Sequence, residues 1–166
     1  MSNARAGASG AYHGVTMTLF RVAFVLSLAS GALGAQGTQG DYVAADFKFA
    51  SGEVLPALRL HYTTLGTPRR DATGVVRNAV MILHGTGGTG RAFLSATYAG
   101  ELFGPGKLLD TARYYVVLPD GVGHGGSSKP SDGLHARFPR YTYDDMVRAQ
   151  QILLTKRLGV NHLRIV

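Results

Sequence analysis

Between Tyr42 and Thr64 apolar and polar residues alternate, and the alternation breaks once, at Ser51-Gly52. A period of two marks a half-buried strand and a serine-glycine pair marks a turn, so the pattern predicts two antiparallel strands, roughly 42–49 and 58–64. Further on the pattern changes. AVMILH (79–84) and YYVVLPD (114–120) are continuous apolar runs, as expected of strands buried on both faces of a mostly parallel sheet. HLRIV (162–166) reads as a third such strand. Between the last two, Met146, Ala149, Leu153, Leu154 and Leu158 fall on one helical face. Thr142 can cap that helix, Asp144 and Asp145 suit its first turn, Lys156 and Arg157 its last, and Gly159 stops it. The segment reads as a crossover helix packed on a sheet, with no chemistry of its own.

Strands alternating with helical segments predict an α/β architecture with right-handed crossovers, in which ligands lie outside the C-terminal strand ends. Two glycine-rich loops, HGTGGTG from His84 and GVGHGGSSKP from Gly121, both follow strand ends and therefore share that rim. The breaker-rich TPRRDATGVVRN (67–78) reads as a loop.

The N-terminal pattern is of another kind. From Met17 the chain reads MTLFRVAFVLSLASGALGAQG, a short start with Arg21, an apolar run from Val22 to Ala29, then small residues. These are the three parts of a secretory signal peptide, and the run is too short to span a bilayer. Residues 1–35 are expected to be a leader, cleaved after Ala32, Gly34 or Ala35 with Ala35 favoured, with Met17 as an alternative start, and 36–166 the body of a secreted or periplasmic protein. No membrane span is expected after cleavage.

Composition narrows the chemistry. With 166 residues, 45% hydrophobic and 16% charged, the chain has material for one folded core. Its formal charge of +7 is dispersed, PRR and TKR being the densest groups, so no stripe suits nucleic acid and no nucleic-acid partner is expected. The absence of cysteine excludes disulfides, zinc-cysteine sites and thiol nucleophiles. The six histidines show no metal-ligand spacing, so neither a metal nor a cofactor is expected.

Three chemistries use a loop like HGTGGTG. Gly85-Thr86-Gly87-Gly88-Thr89-Gly90 satisfies the dinucleotide pattern G-x-G-x-x-G, and Asp110 lies twenty residues beyond Gly90. The acid should close the second strand, however, and Asp110 precedes it, while Gly100, Gly104, Pro105 and Gly106 break the intervening helix. A phosphate loop needs Lys and Ser or Thr where Arg91-Ala92 stand. The third use fits the neighbours: a strand ending in His-Gly, followed by small residues, can turn backbone N–H groups toward a developing oxyanion.

MILHGTGG, LPDGVGHGGSSKP and the stretch YTYDDMVRAQQILLTKRLGVNHLRIV together resemble the α/β-hydrolase superfamily. SGEVLPALRLHYTTLGT and GPGKLLDTARYYVVLPD are more narrowly similar to the branch of homoserine O-acetyltransferases and their hydrolase relatives. The resemblance implies the N-terminal half of that fold, with the first strands antiparallel, ending at the strand before the nucleophile elbow. It implies the Thr86 backbone N–H as an oxyanion donor, with Gly85 and Gly87 letting the loop approach a small-molecule acyl or ester substrate. The second donor, the nucleophilic serine of G-x-S-x-G and the remaining triad would follow HLRIV. GASGA at 7–11 lacks the elbow's spacing, so the 166 residues contain neither nucleophile nor triad and are expected to be inactive alone.

Ser127 and Ser128 are expected to be loop hydroxyls, His84 a residue that orients its loop, His124 a rim residue and Asp120 a pin for its own loop. The acetyltransferase pattern after the fourth strand is Asn-containing and GSTGP-like. DGVGHGGSSKP is closer to ordinary hydrolases, and a signal peptide suits a transferase using acetyl-CoA poorly. The expectation is therefore a serine-type esterase portion, with an acyltransferase portion, or a non-catalytic binding module or broken-gene product, as alternatives.

Overall fold

The computed structural model describes residues 37–166; the expected leader, 1–35, lies outside the described residues. The alternating segment forms two strands longer than expected, β1 (Thr38–Lys48) and β2 (Val54–Leu65), paired antiparallel from Thr38 opposite Thr64 to Lys48 opposite Val54. The turn between them closes where the sequence breaks. Gly52 takes φ +88° and donates to the Phe49 carbonyl, while the Phe49 N–H donates to Glu53.

The inward-facing parity shifts once within β1, from Ala44 to Phe47 and Phe49. Asp46, between them, has φ +48° and lies opposite Pro56, which has no N–H to give the ladder.

β4 (Tyr115–Pro119) pairs antiparallel with β2 and parallel with β3 (Ala79–Met81), giving the order β1-β2-β4-β3. Side chains alternate across β3 and β4, and both faces are covered, as the continuous apolar runs require. On one face Ala79, Met81, Tyr115 and Val117 pack with Leu154 and Val160. On the other, Val80, Val116 and Leu118 pack with Phe103 and Leu109.

HLRIV joins this sheet by less than was expected. It forms one parallel bridge, Val80 to Ile165, supported by the Met81 N–H on the Ile165 carbonyl at 3.1 Å and the Arg164 N–H on the Ala79 carbonyl at 2.8 Å. On its other side β3 pairs with β4 over all three of its residues, Ala79 to Met81, so HLRIV uses only part of the edge that β3 presents.

The connection from β3 to β4 holds a 3-10 turn, Gly90–Leu94, and the seven-residue helix α1 (Ala96–Leu102). After β4 comes α2 (Tyr143–Ile152), which continues into a π-helical turn, Leu153–Arg157, before Gly159 ends it at φ +61°. Thr142 caps α2 as expected: its Oγ1 accepts the Asp145 N–H, and Asp145 Oδ2 accepts the Thr142 N–H at 3.0 Å. Asp145 is 1% exposed and also accepts the Ala50 N–H at 2.9 Å, which ties the helix start to the β1–β2 turn. Burial raises its pKa, but the Thr142 and Ala50 amides, the Thr142 hydroxyl and the Arg148 guanidinium outweigh it and hold the carboxyl below its ordinary value.

Candidate functional site

The loop after β3 begins with a tight turn. The Gly88 N–H donates to the Gly85 carbonyl at 3.0 Å, with Thr86 and Gly87 as the two central residues. Gly87 has φ +77°, the value a type II turn demands at its second central position, so glycine there is a backbone requirement. A Cβ on Gly85 would meet nothing within 4 Å, so that glycine leaves open space on the rim. Gly85, Thr86 and Gly87 are all exposed, and the Thr86 N–H donates to no group among the described residues.

Beneath this turn the two rim loops hold each other. His84 Nε2 accepts the Gly121 N–H at 2.9 Å, and Asp120 Oδ1 accepts the Gly90 N–H at 2.7 Å. Asp120 Oδ2 accepts the Gly126 N–H, also at 2.7 Å. Gly90 must lie close to β4, since a Cβ there would be 2.5 Å from the Leu118 carbonyl oxygen. The loop after β4 is bound in turn to β2: Ser127 Oγ accepts the His61 N–H and donates to the Asp120 carbonyl, and Ser128 Oγ accepts the Arg59 N–H.

No family model matches the chain. A probable acyltransferase of Methanothermobacter thermautotrophicus is 33% identical over 120 residues, covering 72% of this chain and 36% of that protein. The homoserine O-acetyltransferase of Geotalea daltonii is 33% identical over 138 residues, covering 73% and 36% respectively. An acetylester hydrolase from Corynebacterium glutamicum superposes with TM-score 0.63 at 23% identity, over 76% of this chain and 35% of that one. The chain is an N-terminal portion of the α/β-hydrolase fold. Its relatives place it in the branch of homoserine O-acetyltransferases and their hydrolase kin. It spans about a third of the length of the curated relatives it matches.

Within this hydrolase-fold portion the other readings of the glycine loop lose their parts. A dinucleotide site needs free N–H groups opening a long helix. Here the Gly90 N–H is taken by Asp120 and a 3-10 turn follows. Asp110 is buried, with its oxygens on the Gly106 and Ala112 amides; those bonds lower its pKa and leave it a turn residue, far in role from a ribose ligand. Among the described residues no group of three or more His, Cys, Asp or Glu could hold a metal ion, and no helix is long and apolar enough to cross a membrane.

Ser127 and Ser128 have their hydroxyls engaged with backbone, the role expected of them, and neither lies on a strand-to-helix elbow. His84 has both ring nitrogens engaged, Nδ1 lying 2.9 Å from the Gly85 carbonyl, so it orients its loop rather than waiting as a base. His124 packs edge-on against it at 5.4 Å between centroids. Sequence reasoning tied Asp120 to its own loop and missed Gly90. The signal was there only as an acid closing one buried strand and a glycine late in the preceding loop, a pairing across thirty residues that no local spacing announces.

Proposed function

We propose that this chain supplies the oxyanion-stabilising rim of a secreted serine-type esterase. The observation that carries the reading is the Thr86 N–H, exposed on a tight turn past the end of β3 and committed to no acceptor among the described residues. In such an enzyme a serine hydroxyl attacks the ester carbonyl carbon, its proton passing to a base. The carbonyl oxygen becomes an oxyanion, the alcohol departs, and water then releases the acid from the acyl-enzyme. Thr86 would donate to that oxyanion, with charge stabilisation realised in the transition state rather than in ground-state binding.

The 166 residues contain no G-x-S-x-G segment, so the chain alone is proposed to be inactive. Incubation with a fluorophosphonate probe should leave it unlabelled; stoichiometric serine labelling would end that part of the reading. The coding sequence beyond Val166 is expected to encode the elbow within a few residues. If it encodes none in any frame, the esterase reading fails.

The decisive variant is Thr86→Pro, examined in a polypeptide carrying this chain together with the elbow. Proline suits the first central position of a type II turn, so the change removes the N–H with the backbone intact. Turnover of p-nitrophenyl acetate should fall about 10²- to 10³-fold, as for loss of one oxyanion donor. An unchanged kcat would remove Thr86 from the site.

The names of the sequence relatives favour a second reading, acyl transfer from a thioester to an alcohol such as homoserine. Acetyl-CoA consumption that depends on homoserine would select it. Secretion is proposed on the segment from Met17 to Ala35 and is checked by the N-terminus of exported protein, expected at Gln36.

A further inference from the structure

His84 closes the apolar run of β3 and accepts an N–H from the loop after β4; Asp120 closes the run of β4 and accepts an N–H from the loop after β3. The exchange is reciprocal, and it has a consequence for one particular peptide group. A backbone N–H can only donate, so His84 Nε2 is the bare nitrogen and the proton of the neutral ring is on Nδ1. Nδ1–H then donates to the Gly85 carbonyl at 2.9 Å, and the Gly88 N–H reaches the same oxygen at 3.0 Å.

The Gly85 carbonyl and the Thr86 N–H belong to one planar trans peptide and point in opposite directions. Two donors fixing the carbonyl therefore aim the Thr86 N–H away from His84 and Gly88, outward from the turn. Asp120 fixes the other end of the loop: with Gly90 held at 2.7 Å and packed on Leu118, the turn cannot swing as a free hairpin. The same carboxylate holds Gly126, so both loops move only if Asp120 releases them.

We infer that His84 and Asp120 are positioning residues, a reciprocal latch between the two rim loops that sets the direction of the Thr86 N–H. The latch is read from geometry alone; its catalytic consequence rests on the oxyanion reading, and the two can fail separately.

Amide hydrogen exchange on the nitrogen-15-labelled 166-residue chain tests the latch. The Gly90 and Gly121 amides should exchange at least about tenfold more slowly than the Thr86 and Gly87 amides, and His84 should show the Nδ1–H tautomer. His84→Ala should free the Gly121 amide and shift the Thr86 resonance while the Val117 amide in β4 stays protected. His84→Gln, whose side-chain oxygen can reach the place of Nε2, should restore protection. Asp120→Asn keeps the shape but turns an NH2 group toward one of its two amides, so it should free either Gly90 or Gly126. A Gly121 amide that exchanges as fast as Thr86, or that ignores His84→Ala, overturns the latch.

In a polypeptide carrying the elbow, His84→Ala should lower kcat about tenfold or more with KM little changed, and His84→Gln, which keeps the bond to Gly121 but lacks the Nδ1–H donor to the Gly85 carbonyl, should recover only part of it. If Thr86→Pro abolishes turnover and His84→Ala does not touch it, the positioning role falls and the oxyanion reading stands. If Thr86→Pro has no effect, the oxyanion reading falls, and the exchange data alone decide whether the two loops are latched.

Discussion

At the scale of single residues, the rim depends on glycines that are required for different reasons. Gly87 is held by its φ of +77°, whereas Gly90 is held by space, its missing Cβ standing 2.5 Å from the Leu118 carbonyl oxygen. Gly90→Ala should therefore destabilise the chain by about 1–3 kcal/mol, as overpacking against backbone does. Gly100, inside α1, has neither constraint, and Gly100→Ala should stabilise by about 0.5–1 kcal/mol through helix propensity. Urea denaturation of the two variants beside the parent checks both signs. All three glycines look alike in the sequence. Their differing roles come from what packs against them, which their own neighbours in the chain do not reveal.

At the scale of elements, α2 shows how much a local pattern can specify. Thr142, Asp145 and Gly159 mark its ends in the sequence, and all three act there as their chemistry suggests. The π-helical turn at Leu153–Arg157 and the bond from Asp145 to the Ala50 N–H were not legible, because they answer to partners in the β1–β2 hairpin. One such partner is Tyr62, whose hydroxyl accepts from Arg157 Nε at 2.9 Å. Asp145→Ala should cost about 1.5–3 kcal/mol, since it leaves the partly buried amides of Ala50 and Thr142 without their charged acceptor. Thr142→Ala, which removes a cap alone, should cost about 1 kcal/mol. A larger loss from Thr142→Ala than from Asp145→Ala would show that the cap, and not the tie to the hairpin, fastens the helix.

For the molecule as a whole, acid is the informative stress. Asp145 is held below its ordinary pKa by the balance already described, Asp110 by the Gly106 and Ala112 amides, and Asp71 strongly so by the Thr73 hydroxyl, Arg77 and the Val75 amide. Carboxyls with depressed folded pKa values stabilise the fold fully above their unfolded pKa of about 3.9, and lose that contribution as pH falls through the folded values. The urea midpoint should thus be level near neutrality and drop below about pH 4. Asp145→Asn should flatten part of that drop; an acid-insensitive midpoint would contradict the assigned bonding.

What the sequence determined was whatever physics keeps local: the period of the hairpin, the two fully apolar strands, the cap and stop of α2, and loops of glycine at strand ends. Tertiary structure decided the rest. Only the pairing of β3 with β4 brings His84 to Gly121 and Asp120 to Gly90, and only the assembled sheet shows HLRIV joined to β3 by a single bridge. Hydrogen bonds between residues thirty or more apart are set by which strands become neighbours, and that choice is made by the burial of both sheet faces together rather than by any one stretch of chain.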